Sequence, residues 1–157
     1  MSVIVKTTSG GNSGILFKKT DGSGYPTEVL VRSDTVAEDL FFSADTKLFF
    51  NLQKLEVIAD TIGKRAFCNQ FTNAQSLTIK IRAKNIGASA FTGLGDTSKK
   101  SGKVWISKDC ESIADYAFYT SVYKICCEAE TKPSGFAASW TDKTVTYGVT
   151  EAEFDAM

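Results

Sequence analysis

The chain has 157 residues, 43% of them apolar and 23% charged, with 18 basic residues against 18 acidic ones and no histidine. That is a one-domain length, able to bury roughly 70% of its unfolded surface, and its balanced charge excludes a global field that would steer it onto nucleic acid or an anionic membrane. The missing histidine excludes Ser-His and Cys-His nucleophile pairs and His-ligated zinc, and no apolar run approaches the roughly 20 residues of a membrane span.

Residues 1–28 read as a separate N-terminal β-hairpin or capping segment. Val3-Ile4-Val5 and Ile15-Leu16-Phe17 are short β-prone runs joined by the glycine-rich stretch 7–14, and Asp21-Gly22-Ser23-Gly24-Tyr25-Pro26 is a second turn cluster. Gly22 and Gly24 do not complete a dinucleotide fingerprint, because Thr27 stands where its third glycine belongs. The start, Met1 to Lys6, is too short and turns polar too soon for a secretory h-region, so either the protein stays inside until lysis or assembly or a leader has been removed.

From Val29 onward the chain repeats. Pairs of alternating apolar residues, Val29/Val31, Leu55/Val57, Ile79/Ile81 and Val104/Ile106, predict short strands with one buried face. Each is followed by an apolar-small-x-x-apolar-Phe signature: Val36 to Phe41, Ile62 to Phe67, Ile86 to Phe91 and Ile113 to Phe118. The first residues of the copies are 26, 24 and 27 apart, a period that marks stacked supersecondary units. Units this small cannot bury their own apolar faces, which predicts a solenoid with a parallel sheet, little helix, and Phe67, Phe91 and Phe118 as plugs between coils. Ile106 lies two residues farther from its signature than the equivalent residues upstream, so the fourth unit carries a longer connection. Gly63, Gly87 and Ala114 fit a tight bend after the strand, and the segments 64–67 and 115–118 are each long enough for one turn of helix or 3₁₀ helix. The loop 92–103 fails the P-loop spacing, because Ser98 follows Gly93 by five and Val104 follows Lys103, and it reads as an exposed connection.

Beyond Phe118, Tyr123-Lys124-Ile125-Cys126-Cys127 is a further strand without its own signature, and Phe136, Trp140, Val145 and Tyr147 supply the apolar mass of a closing cap. Residues 150–157 read as an acidic C-terminal tail; Thr150 and Glu153 also have capping-box spacing for a short helix. Cys68, Cys110, Cys126 and Cys127 contain no CxxC pair, leaving buried free thiols, one disulfide or a reactive thiol as readings.

If the alternating apolar positions face inward, Leu30, Glu56, Lys80, Trp105 and Lys124 form an outward ladder, with Arg32, Ile58, Arg82 and Ser107 as a second column. Glu56, Lys80, Arg82, Trp105 and Lys124 are accordingly the expected ligand-binding residues. An exposed Trp105 would be a binding hot spot, and a Trp105 covered by a loop would be structural. No residue set suggests a catalytic or metal centre, and no cofactor is expected. Asp109, Glu111 and Asp115 fit a solvated edge.

The order of strand, Ile-Gly-x-x-Ala-Phe and variable loop resembles the bacterial leucine-rich repeats of the BspA-like surface-antigen family. Three copies match closely, the copy at Val36 is degenerate, and the ending Cys127 to Pro133 with Trp140 and Thr144 to Val149 is similar to the terminal coil of such proteins. The resemblance covers 29–149 and implies a right-handed leucine-rich-repeat solenoid, mainly β or α/β; the N-terminal β cap, residues 1–28, lies outside it. It implies a non-enzymatic module that binds a protein or cell-surface ligand, extracellular or virion-associated rather than a cytoplasmic metabolic protein. The alternative function is a structural subunit of a phage tail or other surface assembly, self-associating through the N-terminal segment.

Overall fold

A computed structural model describes residues 14–42, 49–69, 76–93, 101–119 and 123–157. Val3-Ile4-Val5, the turn proposed at 7–13 and most of the loop 92–103 lie outside the described residues. The chain is mainly β and forms a solenoid of about four turns. Strands β1 (Gly14–Thr20), β2 (Pro26–Val36), β3 (Lys54–Ile62), β4 (Ser76–Ile86), β5 (Ser101–Ile106), β7 (Tyr123–Cys127) and β9 (Val145–Thr146) lie side by side in that order. Among the described residues every pairing from β2 onward is parallel, and β1 alone joins antiparallel, through the turn at 21–25. β1 and β2 form an antiparallel hairpin through the turn cluster Asp21 to Tyr25, where the Asp21 carboxylate accepts from the amides of Ser23 and Tyr25, whereas the hairpin expected between Val3-Ile4-Val5 and Ile15-Leu16-Phe17 lies partly outside the described residues. Among the described residues no helix is long and apolar enough to cross a membrane.

The strands are longer than the paired apolar residues suggested. Each runs on through the first residue of its signature, Val36, Ile62 and Ile86, and the buried positions step from 29 and 31 to 33 and then 36. The switch from a step of two to a step of three shows the strand bending there, which carries the buried side around the coil. In the fourth unit this continuity breaks: β5 stops at Ile106 and pairing resumes as β6 (Ser112–Ile113). The two extra residues occupy that interruption.

The signature is a repeated turn and not a turn of helix. Its fourth residue, Asp39, Arg65, Ser89 or Tyr116, has φ between 54° and 61°. A non-glycine residue in the left-handed region ends helical winding, which explains why segments long enough for one helical turn do not form it. The turn is held by its neighbours: the amides of Phe41, Phe67 and Phe91 donate to Ala66, Ala90 and Ala117 of the next coil at 2.8 to 2.9 Å. Coils approach so closely that a Cβ on Gly63 would lie 2.5 Å from the Glu38 amide nitrogen, and one on Gly87 2.6 Å from that of Lys64.

The signature phenylalanines form a column through the core. Phe41, Phe67, Phe91 and Phe118 stack in sequence with centroids 5.0 to 5.1 Å apart, and Trp140 closes the column edge-on to Phe118 at 5.8 Å. Trp140 belongs to a fifth, contracted copy. β8 (Gly135–Phe136) pairs with β6, the Ala137 amide donates to Ile113, and the Phe118 amide donates to Trp140. A tryptophan in place of the last phenylalanine, one residue early, hides that copy from a search for the signature.

All four cysteines are buried free thiols, of the readings that the spacing left open. Burial pushes the thiols of Cys110 and Cys127 up to about 12, which makes them poor nucleophiles.

Candidate interaction face

The outer face of the sheet is built by the residues between the inward Val, Leu and Ile positions, and strict parallel register turns them into rows. One row runs Leu30, Glu56, Lys80, Trp105, Cys126, and the next runs Glu28, Lys54, Thr78, Lys103, Lys124. Arg32, Ile58 and Arg82 share a third. Lys124 faces outward as expected but stands beside Lys103 instead of Trp105. The correction follows from Ile106 pairing with Cys127, which places Cys126 next to the tryptophan.

Trp105 is not an exposed hot spot; it is 2% exposed. The cover is the segment expected to be an acidic tail, which folds as α1 (Glu151–Asp155) across the outer face. Thr150 caps α1 with a complete capping box: its hydroxyl accepts from the Glu153 amide while the Glu153 carboxylate accepts from the Thr150 amide. The Thr150 hydroxyl also donates to the Glu153 carboxylate at 2.7 Å, and this bond first, then the one from the Thr150 amide, holds the Glu153 carboxyl below the ordinary glutamate value. Phe154 points down from α1 onto Trp105, Cys126 and Val149, forming an apolar cluster separate from the main core. The Trp105 indole Nε1–H donates to the Val149 carbonyl at 2.9 Å, so burial leaves the indole hydrogen-bonded.

Charge docks the same segment. Lys80 reaches Glu151 at 2.9 Å and Asp155 at 2.7 Å, and Arg82 reaches Glu151 at 2.6 Å and Glu56 at 2.5 Å. Lys103 donates to the Phe154 carbonyl at 2.7 Å with its ammonium 4.5 Å from the centre of the Phe154 ring, and the Arg82 guanidinium lies 5.4 Å from the centre of the Trp105 ring. Hydrogen bonds from Arg82, then Lys80, outweigh burial and keep the Glu151 carboxyl below its ordinary range. Burial works against the Lys80 ammonium, yet Asp155 and Glu151 together hold its pKa above the usual lysine value.

Of the expected ligand-binding residues, Lys80, Arg82 and Trp105 are thus brought together beneath α1. Glu56 sits at their border, bridging Arg82 to Lys18 of β1 at 3.2 Å, and Lys124 is exposed beyond it. Ser107, expected in the outer column, is buried just past the end of β5. On the other side of Glu56 the face is open: Arg32 is exposed, Leu16 is 37% exposed, and Ile58 is half-buried. Arg32, Asp34, Ile58 and Asp60 line a shallow depression there. Phe154 and Val149 were missed as partners of Trp105, although an isolated phenylalanine in an acidic segment behind a capping box was the available signal.

Chemically, this face can hold a short segment by ion pairs, backbone acceptors and one aromatic anchor. Compared with family models, with characterised proteins and with solved structures, the chain matches none.

Proposed function

We propose that this chain is a non-enzymatic protein-interaction module whose solenoid presents its outer strand face to a protein or cell-surface ligand. In this reading its coils are right-handed leucine-rich repeats of the BspA-like type, and the extracellular or surface setting of that family is the setting in which it acts. The observation that carries the reading is the outer face itself: side chains of β2 to β4 are held in register in rows across successive coils, and the half around Leu16, Arg32 and Ile58 is open. Such a face supplies a rigid surface with an apolar centre and a charged rim.

The test is binding of the purified chain to immobilised extracellular-matrix proteins and surface glycoproteins, followed by the double variant Arg32→Ala, Ile58→Glu against Lys132→Ala as an exposed control. At least a tenfold loss of affinity is expected for the double variant alone, equivalent to about 1.4 kcal/mol. Full affinity in a double variant with unchanged circular dichroism would remove this face from consideration.

A further inference from the structure

The cluster of Trp105, Cys126, Val149 and Phe154 lies on the opposite side of the sheet from the phenylalanine column and shares no residue with the main core. It is closed by one linear segment, residues 149–157. A five-residue helix has no stability of its own, so α1 is helical because it is docked and capped. Its contacts are those of a peptide in a groove. The groove contributes three cations, Lys80, Arg82 and Lys103, and an aromatic floor, Trp105; the segment contributes Glu151, Asp155, Phe154 and the carbonyls of Val149 and Phe154. Exposed Lys124 extends the basic side beyond α1.

We propose that this basic, tryptophan-floored groove is a recognition site for acidic peptides carrying one aromatic residue, with α1 as its resident intramolecular occupant. The site rests on reading the chain as an interaction module, and it specifies the chemistry of one partner. Helix-in-groove recognition uses the same combination of one anchored apolar side chain and flanking charge. A tethered occupant has an effective concentration in the millimolar range, so a peptide in solution competes poorly until α1 is weakened. The groove is thereby self-limited: a partner gains access when its own carboxylates and aromatic residue outcompete those of Glu151, Asp155 and Phe154.

The experiment uses the full chain and a fluorescein-labelled peptide of residues 149–157, read by fluorescence anisotropy. Two variants weaken α1 by different routes, Phe154→Ala through the anchor and Glu151→Gln with Asp155→Asn through charge. Each is expected to bind the peptide at least tenfold more tightly than the wild-type chain. Adding Trp105→Ala to either variant, or replacing the peptide's phenylalanine with alanine, is expected to abolish that gain. Equal, weak binding by wild type and folded variants, or binding indifferent to Trp105→Ala, would overturn the proposal while leaving the Arg32 and Ile58 test of the module reading intact. Loss of the main-sheet amide protection in both variants would make α1 an inseparable part of the fold and overturn it as well. So would a concentration-dependent dimer of the wild-type chain that Phe154→Ala dissolves, because the groove would then belong to a second copy.

Discussion

Phe91→Ala removes the middle of the phenylalanine column. Phe91 is fully buried, with Phe67 stacked on one face at 5.0 Å and 5° and Phe118 on the other at 5.0 Å and 8°. Phenylalanine-to-alanine changes in cores cost about 3–5 kcal/mol, and a ring sandwiched on both faces by neighbours held in place by backbone hydrogen bonds leaves a cavity that cannot collapse; about 4 kcal/mol is expected. With a urea slope of about 2 kcal/mol/M, the unfolding midpoint should fall by about 2 M. A domain of ordinary stability, about 5–15 kcal/mol, would survive the loss as a folded protein. Phe91→Leu keeps most of the apolar volume but forfeits two ring contacts, and should cost about 1–3 kcal/mol. Urea melts followed by circular dichroism measure both. A midpoint shift below about 0.5 M for Phe91→Ala, at unchanged slope, would refute a column that bridges the coils.

Gly87→Ala places a methyl group 2.6 Å from the Lys64 nitrogen and should destabilise by about 1–3 kcal/mol in the same melts, whereas Gly22→Ala, with nothing within 4 Å, should be neutral. Acid should release α1 before the sheet unfolds. The Glu151 carboxyl titrates lower when docked than when free, so its contribution is present above the ordinary value of 4.5 and is lost as the pH falls through the docked value. An NMR titration should show the Trp105 indole resonance moving in that window while the sheet amides stay in place. High salt should shift the release to higher pH, because the ion pairs are partly exposed.

The architecture was legible because a solenoid writes its geometry into a period. Alternating apolar pairs fixed which side of β2 to β5 is buried, and the recurrent phenylalanines located the column. Features that depend on contact between distant segments were not legible. The left-handed residue at Asp39, Arg65, Ser89 and Tyr116 has four different side chains, since the turn is imposed by hydrogen bonds to the next coil and not by local preference. The outward parity of Trp105 followed from its strand, but its burial depends on a segment 44 residues away whose own composition is that of a solvated tail. Lys124 stands one row away from the place its strand pattern suggests because the phase of β7 is set by Cys127 packing inward, and cysteine carries a weaker pattern signal than valine or isoleucine.

The docking of α1 on the outer face joins the fold to the proposed recognition, and hydrogen exchange of the Trp105 indole reports it directly. The indole Nε1–H is bonded to the Val149 carbonyl beneath Phe154. Slow exchange is expected in the wild-type chain, with at least tenfold faster exchange in Phe154→Ala and unaltered protection of the amides of β2 to β4. Rapid indole exchange in the wild-type chain would contradict a covered groove and, with it, the assignment of Lys80, Arg82 and Trp105 to an occupied binding site.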